Sequence, residues 1–148
     1  LHGKWYVNCW IGNVDIPEDK KHEKIPPFYI RPLSNGKMEA KLNLRKNGRC
    51  EEIKLSLEKT KEPGKLLTWG RQIVNVLDIN MPKHVISFIE SKMNGKNIRM
   101  MELMGRSPEI DPKAMQIFED FVRSKGHNPD EIIIPEIEGN VERFSDFS

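Results

Sequence analysis

The sequence predicts an all-β fold, a barrel or a sandwich, with a single helix added late. Three observations carry this. Strand-like segments recur at spacings of about 8–12 residues with turn residues between them. Residues 38–45 alternate strictly between apolar and polar, and only one stretch, 112–125, has the apolar spacing of a helix. A chain of 148 residues, 37% hydrophobic and 31% charged, fits one domain that can bury a real core.

The first segment, "WYVNCWI", places Trp5, Val7, Cys9 and Ile11 on one apparent inner face. Trp10 then faces outward, where it either packs beneath the helix or marks an association surface, which leaves a homodimer open. "PEDKKHEK", residues 17–24, reads as a solvated charged loop. "PLSNGK" closes best as a three-residue loop with Gly36 left-handed, which puts Phe28 and Ile30 inside and Arg31 outside. In "KMEAKLNLRK", Met38, Ala40, Leu42 and Leu44 share the buried face. Asn47-Gly48 is a two-residue hairpin signal, and pairing outward from it sets Leu44 opposite Glu51, Leu42 opposite Ile53, Ala40 opposite Leu55 and Met38 opposite Leu57.

"RQIVNVLDI" is a strand whose inner face is not fixed, because "INMP" is not a clean two-residue turn. Asn75 is therefore an additional candidate polar group, and Trp69 belongs to the mouth or the closed end. Asn94-Gly95 fixes the next hairpin: Glu90 opposite Arg99, Phe88 opposite Met101 and Ile86 opposite Leu103 on one face. On the other face Ile89 meets Met100, Ser87 meets Glu102 and Val85 meets Met104. Both faces are mostly apolar, so both must be covered.

The helix supplies one cover. Asp111 is its N-cap, Pro112 its first residue, Met115, Phe118, Phe121 and Val122 its apolar stripe, and Gly126 its terminator. The outer patch of Ile86, Phe88, Met101 and Leu103 is the expected dock. After it, residues of about 131–136 read as a short final strand and 139–148 as a loosely ordered tail.

Several functions are excluded. A formal charge of +2, with both signs interspersed, gives no nucleic-acid footprint and no membrane patch, and no apolar run approaches the length of a membrane span. His2, His22, His84 and His127 are scattered, and Cys9 and Cys50 form no CxxC pair, so no metal or cofactor is expected. No nucleophile elbow, phosphate loop or close carboxylate pair occurs, which argues against an enzyme.

With those residues in hand, the chain resembles a lipocalin. The resemblance rests on Gly3-Lys4-Trp5-Tyr6, on "NGKMEAKLNL", "GRCEEIKLSLEKTKEPGK" and "IRMMELMGR" in this order, and on Gly105-Arg106 followed by a single helix. It is similar to the tear lipocalin and odorant-binding branch, and to a marsupial milk lipocalin. The resemblance implies an eight-stranded antiparallel up-and-down β-barrel over about 3–106, a cup with the helix, about 112–125, on its outer wall. It implies structural roles for Gly3, for Trp5 plugging the closed end, and for Arg106 stacking over it. It also implies secretion, with which a chain beginning at Leu1 agrees, and a small hydrophobic ligand in the cup.

The expected wall is Phe28, Ile30, Met38, Ala40, Leu42, Leu44, Ile53, Leu55, Leu57, Val85, Ser87, Ile89, Met100, Glu102 and Met104. A filled barrel that binds a protein partner on its outer face is the alternative. Three departures from the family stand out: no cysteine in the tail to pair with Cys50, Lys83-His84-Val85 in place of a second signature triplet, and Glu102 where relatives place a cavity lysine. Both cysteines are therefore expected as free thiols, the more so because Cys9 and Cys50 face opposite sides. Glu102 is expected to be the cup's polar anchor, favouring phenols, alcohols or amines over fatty carboxylates.

Overall fold

The computed structural model describes residues 1–13, 23–46, 48–68, 72–93 and 95–135, without the side chains of 44–46 and 93. Eight strands close into one antiparallel barrel in sequential order: β1 (Gly3–Gly12), β2 (Phe28–Pro32), β3 (Met38–Lys46), β4 (Arg49–Lys59), β5 (Lys65–Thr68), β6 (Gln72–Asp78), β7 (His84–Met93) and β8 (Lys96–Gly105). Closure comes from β1 pairing against β8 along Tyr6–Gly12. Trp69 lies outside the described residues, as do most of the charged run at 17–24 and the tail from 139.

The three hairpin registers agree with the turn chemistry. Leu33 and Lys37 bracket a three-residue loop in which Gly36 has φ +80°, and Arg31 stays outside, 3.0 Å from Glu39. Leu44 pairs with Glu51 and Met38 with Leu57 across β3 and β4. Across β7 and β8, Ser87 meets Glu102, Ile89 meets Met100, and Glu90 lies 3.5 Å from Arg99.

Helix α1 (Pro112–Ser124) starts where Asp111 accepts hydrogen bonds from the Lys113 and Ala114 amides at 2.8 and 3.2 Å. Its Phe118 and Val122 are wholly buried, together with Ala114, against Ile86, Phe88, Met101 and Leu103. Burial of that size is worth about 1.5–3 kcal/mol per large side chain. It gives β7 and β8 the second cover that their two apolar faces demand. The expected final strand is instead a 3-10 turn, Pro129–Glu131, followed by a single bridge of Ile133 to Trp10. Among the described residues this segment meets β1 at Trp10, through hydrogen bonds in both directions between Trp10 and Ile133, 3.0 and 2.8 Å.

The main correction concerns β1. Val7 pairs with Met104 but Cys9 with Leu103, so Asn8 is the extra residue of a β-bulge. Every side chain beyond Asn8 changes face. Cys9 and Ile11 therefore lie outside, under the helix, and Trp10, paired with Glu102, turns inward. Asn8 is buried, and its amide donates to the Ser107 carbonyl at 3.0 Å. A Cβ on Gly105 would lie 2.6 Å from the Asn8 Oδ1, so the bulge needs glycine at that close approach.

β6 settles the open question of its facing. Val74 and Val76 point inward opposite Ile89 and Ser87. Asn75 points outward, and its Nδ2 donates to the Phe88 carbonyl at 3.3 Å.

Both cysteines are free, yet not because they face opposite sides. The bulge brings Cys9 to the outer side, where ladder parity also puts Cys50, and what separates them is that β2 and β3 lie between their strands. Cys9 is fully buried, its Sγ 3.6 Å from the Met115 Sδ. Burial, with Glu119 adding to it, pushes the Cys9 thiol up to about 12. A thiol reagent on native protein should therefore modify the exposed Cys50 at once, and Cys9 only after unfolding. Mass spectrometry before and after denaturant reads this; rapid double labelling of the native protein would contradict it.

Candidate binding site

Side chains facing into the barrel form two zones. At one end Trp5, Ile30, Met38, Leu57, Leu66 and Met104 pack into a buried plug, with Phe28, Ala40, Val74, Val76 and Val85 around it. Arg106 closes this end from outside. Its guanidinium lies 3.7 Å from the Trp5 ring centroid and donates to the Lys4 carbonyl at 2.9 Å. Gly3, at φ +101°, leaves room for it, because a Cβ there would sit 3.1 Å from the Arg106 Nη1. A recess of about 840 Å³ opens at this end, floored by Trp5, Met38, Leu66, Val76 and Val85 of the plug and rimmed by charged residues that include Lys65, Lys83 and Arg106; Glu102 does not line it.

Toward the other end the wall is looser. Leu42, Ile89 and Met100 keep accessible surface although ladder parity turns them inward. Ile53 and Leu55, on the Leu57 face of β4, are 37% and 38% exposed. Among the described residues β5 covers β4 only at Glu58 and Lys59, so β4 stands uncovered on that side beyond them. Of the wall residues expected from sequence, all but Leu44 are brought onto this inward surface by register; the Leu44 side chain is outside those described.

The polar part of the wall is a single cross-strand row: Trp10 on β1, Glu102 on β8 and Ser87 on β7. Trp10 and Ser87 are 5% and 6% exposed. The Trp10 Nε1–H is buried without a hydrogen-bond partner among the described residues. Glu102 is half-buried, on the face that register turns inward. No neighbouring charge accounts for its acidity. Burial alone raises Glu102 from an ordinary 4.5 to about 7.

Sequence reasoning found Glu102 and Ser87 but missed Trp10, Leu66, Val74 and Val76. Trp10 carried no local signal, since a polar Asn8 fits the alternation that put Trp5, Val7 and Cys9 inside.

Residues 2–138 match the lipocalin / cytosolic fatty-acid binding protein family. The chain belongs to the lipocalin family. It is 34% identical to lipocalin-1 of Sus scrofa over 131 residues, 88% of this chain and 74% of that protein. Odorant-binding protein 2a of Mus musculus is 30% identical over 91% of this chain and 78% of its own. The late lactation protein of Trichosurus vulpecula is 32% identical over 90% and 77%. A solved siderocalin structure, Ex-FABP, described as functioning through dual ligand specificities, superposes with a TM-score of 0.75. It is 24% identical over 91% of this chain and 93% of that one, a likeness of fold alone.

For this lipocalin the raised pKa of Glu102 has a signed consequence. Below about pH 4.5 both folded and unfolded chains carry the Glu102 proton, and between there and about 7 only the folded chain keeps it. The folded state binds more protons in that window, so its stability falls as pH rises through it and levels off above. The loss is at most about 3 kcal/mol, less where lumenal water reaches the carboxylate. Glu102→Gln should remove this slope. Denaturant melts at pH 5 and 8 should converge for the variant relative to the wild type, whereas parallel pH dependence would contradict it.

Proposed function

We propose that this lipocalin is an extracellular carrier of small hydrophobic compounds bearing a hydroxyl, phenols and alcohols among them and volatile ones included, held inside the barrel. The observation that carries the reading is the unpaired Glu102 on an otherwise apolar inward wall of Met100, Met104, Val85, Val76 and Ile89. A mostly apolar pocket with few polar groups takes apolar bodies and orients them by those groups. A carboxyl left unpaired there favours a ligand that supplies a hydrogen bond. Accessible surface on Leu42, Ile89 and Met100 favours an open lumen over a filled barrel that serves only as a platform for a protein partner. The names of the odorant-binding and late lactation relatives agree with volatile ligands and with an extracellular fluid.

Displacement of a fluorescent apolar probe by a phenol tests the reading. The probe should bind, the phenol should displace it, and Glu102→Leu should weaken the phenol about tenfold, ~1.4 kcal/mol, for the lost hydrogen bond. A barrel that takes up no probe is solid and is not a carrier.

A further inference from the structure

The Trp10–Glu102–Ser87 row holds more hydrogen-bonding capacity than a neutral hydroxyl uses. We propose that the lumen is a receptor for hydrophobic amines, bound as ammonium ions paired with an ionised Glu102 whose remaining lone pairs are served by Trp10 and Ser87. The inference rests on the carrier reading of the lumen and adds to its hydroxyl compounds a second head group, the ammonium.

Three features argue for the cation. First, the row is one-signed: it contains a carboxyl and two neutral donors, and the inward faces of the flanking strands β1 and β7 contribute no ionisable group among the described residues. Among residues whose side chains are described, the ionisable ones elsewhere on inward-facing positions, Lys96 of β8, Arg49, Glu51 and Lys59 of β4 and Asp78 of β6, are exposed and near the strand ends. Second, an indole N–H and a hydroxyl are the groups that stabilise a carboxylate rather than a second cation. The Trp10 Nε1–H is buried and unused, and the Ser87 side chain is buried beside the same carboxyl. Third, ionising Glu102 costs little near neutral pH, since its acidity is centred there. A buried ion pair is favourable only when its leftover hydrogen-bonding sites are filled, and in the proposed complex the cross-strand neighbours Trp10 and Ser87 are the donors that would fill them. In the proton balance the ligand arrives and stays as an ammonium, and any proton on Glu102 leaves for solvent.

Matched probes decide the matter. The affinities of 2-phenylethylamine and 2-phenylethanol are compared by displacement of the same apolar fluorophore from the wild type, Glu102→Gln and Trp10→Phe. At pH 8 the wild type should prefer the amine by about tenfold or more. Glu102→Gln should abolish the preference while still taking the alcohol. Trp10→Phe should reduce it severalfold without a comparable loss for the alcohol. Lowering the pH from 8 to 6 should weaken the amine and leave the alcohol nearly unchanged, and calorimetry in two buffers should record proton release on amine binding near pH 7. Equal binding of amine and alcohol by the wild type, or a preference that survives Glu102→Gln, overturns the inference and leaves the carrier reading intact. If the fluorophore itself finds no site, the carrier reading fails and this inference with it.

Discussion

The pairing of β1 with β8 is the constraint on which the rest depends. A sheet becomes a barrel only when its last strand meets its first, and here that seam carries the bulge at Asn8. The extra residue separates two assignments that a regular strand would have tied together. Before it, Trp5 and Val7 face the lumen; after it, Cys9 and Ile11 leave the lumen for the helix interface and Trp10 enters. The buried Asn8 holds this arrangement through the Ser107 carbonyl. The seam is therefore also bonded to the chain that leaves β8 for α1.

Much of this architecture is legible in the sequence, because hairpin registers follow from local chemistry. Asn-Gly and Ser-Asn-Gly turns fix the pairings of β2 with β3, β3 with β4 and β7 with β8, and the Asp111-Pro112 start with the Gly126 stop delimits the helix. What escaped is non-local. Whether Cys9 faces in or out depends on a bulge satisfied by Ser107, about a hundred positions away, and no pattern within "WYVNCWI" encodes that partner. The facing of β6 was equally hidden, since Ile73, Val74, Val76 and Leu77 are apolar on both sides and only pairing with β7 chooses between them.

Charge in the lumen follows from the same topology. A carboxyl on the outer wall of β8 would be solvated or covered by α1, whereas in the middle of the inward row it is left with lumenal contents alone. Burial by the protein alone sets its raised pKa, so a ligand that met this carboxyl, as proposed, would link occupancy, protonation and fold stability in one equilibrium.

The barrel wall is unequal in thickness. Behind Glu102 and Ser87 the outer residues Ile86, Met101 and Leu103 are wholly buried under the helix, so that side is a double layer and its polar groups are held to a fixed position. Around Ile53 and Leu55 the wall is a single layer with more than a third of each side chain exposed. Recognition is divided accordingly. On the proposed carrier reading, the stiff side would fix where a ligand's head sits and the thin side would leave the length and shape of its tail loosely specified, so related molecules that differ at the tail would be held with similar strength while those that differ at the head would be sorted.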